Sequence, residues 1–177
     1  VRADAQAYAF EPGSVDAVVS RFGVMFFADP VRAFANLRRA ARPGAGLRMA
    51  VWRRAEDNPF MTAAERAAAP LLPALPPRDP DAPGQFAFGD PARVTAIVGG
   101  AGWHGVALQP IDVTCRVPAS ALDQYAMRLG PVGRALDQAD TATRMRVAPV
   151  VRAAFDPYVH GDEATFVASC WMVTATA

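Results

Sequence analysis

Residues 14–52, SVDAVVSRFGVMFFADPVRAFANLRRAARPGAGLRMAVW, decide the fold. Val15-Asp16-Ala17-Val18-Val19 is a short, mostly apolar run between turn signals, the pattern of a buried strand. Asp29-Pro30 then supplies an N-cap and a proline at the first helical position. From Val31 to Arg42 the larger apolar residues fall at Val31, Phe34 and Leu37, with Ala33, Ala40 and Ala41 filling the same broad face. Arg38, Arg39 and Arg42 gather where cations suit the helix dipole, and Pro43-Gly44 is expected to stop the helix. Leu47 to Trp52 reads as a second apolar strand. Strand, helix and strand with short links make a βαβ unit, whose crossover is right-handed. The expectation is a pair of parallel neighbouring strands.

Outward from this unit the pattern thins. Arg53 to Asp57 is a charged turn, and Asn58-Pro59-Phe60 leads into a short alanine-rich helix over 62–69. Residues 70–84, PLLPALPPRDPDAPG, are too rich in proline to hold regular structure for long. Asp90-Pro91 repeats the N-cap and proline signal, and Val94, Ile97, Val98 and Ala101 give a helical face that Gly102 ends. Residues 106–117 read as a strand whose Pro110 suits a sheet edge or a bulge. Ser120 with Asp123 looks like a capping box opening a helix through Leu129, and further helices follow over 131–139 and 141–155, the latter containing Pro149. Residues 166–176 are rich in β-branched and aromatic side chains, as a closing strand is.

Composition excludes several classes. The chain is 52% hydrophobic and 20% charged over 177 residues, which fits a globular domain with its own core. A net charge of +1, with arginines spread along the chain and no lysine, gives no electrostatic case for nucleic acid. The longest uncharged run, 94–111, is broken by glycines, His104 and Pro110 and is no membrane span. Cys115 and Cys170 make neither a disulfide framework nor a metal motif, and two free thiols suit a reducing, cytoplasmic setting. His104 and His160, the two histidines, flank glycines without a ligand or triad partner at a known spacing. No metal site is expected, and no residue carries the marks of a catalytic acid or base.

VDAVVSRFGVMFFADP followed by FANLRRAARPGAGLRMAVW resembles the second half of a class I S-adenosylmethionine-dependent methyltransferase of the type that acts on small molecules. Asp4-Ala5-Gln6 resembles that family's adenine-contacting element. The resemblance implies an α/β, partial Rossmann-like methyltransferase fold, a mixed sheet with helices on its faces and a helical and loop lid. It divides the chain into a core βαβ unit over 1–54, a lid over 55–90, and C-terminal helices with a closing strand pair over 91–177. It implies S-adenosyl-L-methionine as cofactor, held by Asp4, Ala5, Gln6, Ser20, Arg21 and Phe22. Met25, Phe26, Trp52 and Asn58 would face a small-molecule substrate. For each the plainer alternative stands beside it: Asp4 capping a turn, the aromatics forming ordinary core. The family's glycine-rich cofactor loop has no counterpart here, since Gly44-Ala45-Gly46 and Gly99-Gly100-Ala101-Gly102 both follow helices. The expectation is therefore a fragment whose N-terminal strands are missing, with an exposed sheet edge open to self-association. A non-catalytic remnant or interaction module is the alternative.

Overall fold

The computed structural model describes residues 2–72, 79, 82–122 and 130–177. The expected helix over 123–129 and most of the proline-dense stretch lie outside the described residues. The chain divides into two compact units, one made of Val1–Arg54, Asp79–Asp112 and Ser169–Ala177, the other of Ala55–Arg78 and Val113–Ala168.

The first unit is built on the βαβ motif. Strand β1 (Val15–Arg21) runs parallel to β2 (Ala41–Trp52), with helix α1 (Pro30–Ala40) between them in sequence. The Asp29 side chain accepts the Arg32 N–H at 3.0 Å and caps α1, while Pro30 occupies the first helical position. Ala33, Phe34, Leu37 and Ala40 are buried along one stripe. Val31, expected on that stripe, is 43% exposed. At 100° per residue it stands roughly 130° round from the stripe's centre, so it faces water.

Helix α1 also ends earlier than expected, and β2 begins at once at Ala41 rather than at Leu47. Arg42 is thus a strand residue, and it pairs with Asp16 at 2.5 Å instead of closing the helix. The pairing of β1 and β2 slips between Val15 and Ala17, from Ala41 to Gly46, which accommodates the Pro43–Gly44 bulge. Gly44 has φ 81°, a conformation that a side chain would strain.

The strand order is β1-β2-β5-β3, with β5 (Glu163–Thr176) antiparallel to β2 and β3 (His104–Pro118) at the far end. Of the edge and the bulge that Pro110 allows, the order gives its strand the edge. Helix α3 (Pro91–Gly100) packs on α1. Their shared core contains Phe34, Phe88, Val94, Val98 and Trp103, and the Trp103 indole N–H donates to the Phe34 carbonyl at 3.0 Å.

In the second unit, α2 (Pro59–Ala68) packs against α4 (Gly130–Asp137) and α5 (Thr141–Ala153). Strand β4 (Val159–His160) forms a tight hairpin with the start of β5, turning at Gly161, φ 65°. Phe60, Phe155, Tyr158 and Phe166 make the aromatic core there, with Phe60 stacked on Phe166 at 4.9 Å.

Two helices carry acid-sensitive caps. Asp90 accepts the Ala92 N–H at 2.9 Å at the start of α3, and Asp140 accepts the Thr143 N–H at 2.7 Å at the start of α5. These backbone bonds hold both carboxyls below their usual 3.8, with Arg54 also helping Asp90. A lowered folded-state value means the contribution is complete above the ordinary carboxylate range and is lost as pH falls through the folded value. Thermal stability should therefore drop as the solution is acidified below about pH 4. Replacing both with Asn, which caps without titrating, should flatten that decline. An identical acid slope in the double variant would sink the assignment.

Candidate functional site

The candidate site lies at the carboxyl end of β1, where ligands sit in open α/β sheets. Two clusters of named residues meet the first unit's core.

The first is the loop before β1. The Asp4 carboxylate accepts the Gln6 N–H at 2.9 Å, and the Asp4 carbonyl accepts from Tyr8 at 2.8 Å, so Asp4 does close a turn. The loop is then fastened to α1. Asn36 donates to the carbonyls of Ala5 and Tyr8, each at 2.9 Å, and the Gln6 side chain accepts the Asp29 N–H at 3.1 Å. Asp4 is exposed on this fixed loop, while Ala5 packs against the core. Turn and ligand roles are compatible, because one carboxylate oxygen holds the turn and an ionised carboxylate accepts at several positions. The Gln6 N–H, by contrast, is engaged inside the turn. Beside it runs a groove of ≈ 500 Å³ lined by Gln6, Ala7, Arg32, Asn36 and Arg39 among others.

The second cluster is the end of β1 itself. The Phe22 N–H bonds the Ala50 carbonyl at 3.0 Å, continuing the ladder one step beyond Arg21. The backbone then turns sharply. Phe22 has φ 57°, the one positive value at a non-glycine residue among the described residues. Its ring lies on Trp52 with centroids 4.6 Å apart and planes 15° from parallel. Both rings stay half-buried, and Ser20 is half-buried beside an exposed Arg21.

The turn that follows, Val24–Phe26, separates the expected substrate residues. Met25 is 1% exposed and belongs to the core, because the Gly84 N–H bonds its carbonyl at 3.0 Å and the 84–88 segment packs over it. Phe26 is 58% exposed, and Phe27 packs on Phe34 with rings 6.0 Å apart. Asn58 belongs to the second unit, where it is fully buried and precedes α2.

Sequence reasoning did not find the groups that frame β2's end. Arg53 lies over the Trp171 ring at 5.1 Å and 3.6 Å from Asp112, and Arg54 pairs with Asp90 at 3.1 Å. The Trp171 indole donates to the Gly89 carbonyl at 3.1 Å. A Cβ at Gly89 would sit 3.0 Å from the Arg54 backbone, a tight contact that a side chain could meet only if Arg54 gave way slightly. The only local signal was glycine ahead of an Asp-Pro cap; each partner lies far away in sequence. No group of three or more His, Cys, Asp or Glu fit to hold a metal exists among the described residues. None of the described helices is long and apolar enough to cross a membrane.

Residues 1–49 match the family described as Methyltransferase domain. No curated protein matches the chain by sequence. Among solved structures, the chain resembles a candidate methyltransferase of Bacillus halodurans C-125, with TM-score 0.55 and 13% identity over 99% of this chain and 76% of that one. It resembles the YcgJ protein of Bacillus subtilis at TM-score 0.53 and 12% identity, over 98% of this chain and 68% of that one. A candidate type II methyltransferase of Anaeromyxobacter dehalogenans gives TM-score 0.53 and 20% identity, over 99% and 69%. At such identities the likeness is one of fold, and the fold is the Rossmann-like α/β architecture of methyltransferases.

Proposed function

We propose that the chain carries part of the site of an S-adenosylmethionine-dependent methyltransferase acting on a small molecule. One observation carries the reading: the segment 1–49 that matches a methyltransferase domain contains Asp4, Ala5, Gln6, Ser20, Arg21 and Phe22. The residues suit the cofactor's parts. Asp4, fixed on its loop by Asn36 and Gln6, offers a carboxylate to an exocyclic amino group. The end of β1 offers backbone groups and an apolar ring pair. When bound, the cofactor would supply a sulfonium methyl, the new bond to the acceptor forming as the carbon–sulfur bond breaks and its electron pair returns to sulfur. The work left to this chain is alignment and exclusion of water. That matches walls of Phe22, Trp52 and Phe26 with no titratable base among them.

In a protein that joins this chain to the missing glycine-rich N-terminal part, Asp4→Ala should weaken binding of S-adenosylhomocysteine by about 1–3 kcal/mol, the usual result of removing one partner of a charge-assisted hydrogen bond. Calorimetric titration of both proteins checks this, and equal affinities would refute the role of Asp4. A second reading, a non-catalytic module, draws on the glycines. Gly44 and Gly46 lie within β2, and Gly99 and Gly100 end α3, so none opens a helix after a strand. A native chain that fails to bind S-adenosylhomocysteine at millimolar concentration would favour that reading.

A further inference from the structure

Residues 6–14 follow α1 from its start to its end, and hydrogen bonds hold them there. The Gln6 side chain accepts the Asp29 N–H, Asn36 donates to Ala5 and Tyr8, and the Gly13 N–H donates to the Arg39 carbonyl at 3.1 Å. The groove between loop and helix therefore has fixed walls. At ≈ 500 Å³ it is large enough for a small organic molecule.

The helix contributes Arg32, Ala35, Asn36 and Arg39, whose spacing places them on one face. Helical side chains lean toward the N-terminus, so Arg39 leans toward Arg32. Its guanidinium donates to the Asn36 carbonyl oxygen at 2.8 Å, in the turn that separates the two arginines. Their Cα atoms are roughly 10 Å apart along the axis, which leaves both forks within reach of one bridging group. Asn36 has its amide hydrogens on the loop and its oxygen on Arg39, so recognition falls to the arginines. Among the described residues no acid lines the groove. Elsewhere in the first unit Arg42 pairs with Asp16 and Arg54 with Asp90, while Arg38 and Arg93 bond the Gly102 and Ala87 carbonyls. Arg32 has no such partner among the described residues.

We propose that this groove binds a phosphate monoester, its phosphoryl group held between Arg32 and Arg39 and its organic part lying on Ala7, Ala9 and Ala35. The proposal does not rest on the methyl-transfer reading. A guanidinium is a planar fork that meets an oxyanion through two parallel bonds. A monoester brings close to two negative charges and three acceptor oxygens, enough for two forks. A carboxylate brings one charge and two oxygens, which a single fork satisfies. Two arginines over a floor of alanines therefore favour the phosphoryl group with an organic substituent.

The test titrates the whole chain with phenyl phosphate, inorganic phosphate and benzoate. Calorimetry gives the affinities, and the NMR signals of the Asn36 side-chain amide report on the groove itself. Phenyl phosphate should bind saturably and move those signals. Benzoate should bind at least about tenfold more weakly, having lost one charge-assisted fork. Inorganic phosphate should move the same signals with lower affinity than the ester. Arg32→Gln should lower phenyl phosphate affinity about tenfold with an unchanged melting temperature. Arg39→Lys keeps the charge and loses the fork, so it should weaken binding too. Arg146→Gln removes the same charge from an exposed position in the second unit and should leave the affinity as it was. Absence of saturable binding, or full affinity in Arg32→Gln, overturns the site. Equal binding of benzoate, or of inorganic phosphate, overturns the assignment to a phosphate ester. A loss in Arg146→Gln as large as in Arg32→Gln means an adventitious ion only, and also overturns it.

Discussion

Phe34→Ala should lower the unfolding free energy by about 3–5 kcal/mol, the range for deleting a buried aromatic ring. Phe34 is 0% exposed on the inner face of α1. It meets Phe27 edge-on and Phe88 at a tilt, both at 6.0 Å, and its carbonyl anchors Trp103. Folded domains hold only about 5–15 kcal/mol in total, so the variant should be partly unfolded at room temperature or melt at a much lower urea concentration. Phe34→Leu keeps most of the volume and should cost under about 2 kcal/mol. A loss in Phe34→Ala as small as that would mean the core repacks freely.

The second large effect concerns the first strand. Strand β1 ends the strand order, so among the described residues its outer backbone groups have no strand beside them. The Phe22 N–H points to β2, and by alternation the peptide groups of Val19 and Arg21 point away from it. Val19 is 77% exposed. An open, apolar edge recruits other strands, and a lysine placed on it is a natural deterrent. The native chain should therefore gain mass with concentration in sedimentation, reaching at least twice the single-chain value in the tens-of-micromolar range. Val19→Lys should return it to the single-chain mass. A native chain that stays monomeric at every concentration would remove the edge from consideration.

The βαβ unit was legible because its signals are local. The apolar run at 15–19, the Asp29-Pro30 cap and the arginines at the helix end all act within a turn or two of themselves. The start of β2 was not legible, for an equally physical reason. Residues 41–45 look like a loop, yet the Gly44 N–H bonds the Ala177 carbonyl and the Ala177 N–H bonds Ala45, at 3.0 and 2.9 Å. A stretch becomes strand here because of residues more than a hundred positions away. Met25 shows the same limit: it reads as pocket lining, yet it is buried in a core cluster that includes Ala87 and Phe88, more than sixty positions away. The left-handed turn at Phe22 was hidden differently. Glycine or asparagine would have announced it, and phenylalanine does not. The turn at Asp4 stood in the sequence as the plainer alternative, whereas the bond from Asn36 to the Ala5 carbonyl, 31 residues apart, that fastens this loop was not legible.

The position of β5 has a consequence for how the protein is made. Residues 170–176 pair with 46–52, and in the strand order they stand between β2 and β3. The middle of the sheet is thus synthesised after both of its flanks. At about 5–20 residues per second, β2 waits on the order of ten seconds on the ribosome before its partner is made. Over that interval two apolar strands must be kept apart from each other and from neighbouring nascent chains. A stop codon a few residues into β5 would strand them in that condition permanently, so the shortened product should be a chaperone client rather than a trimmed enzyme.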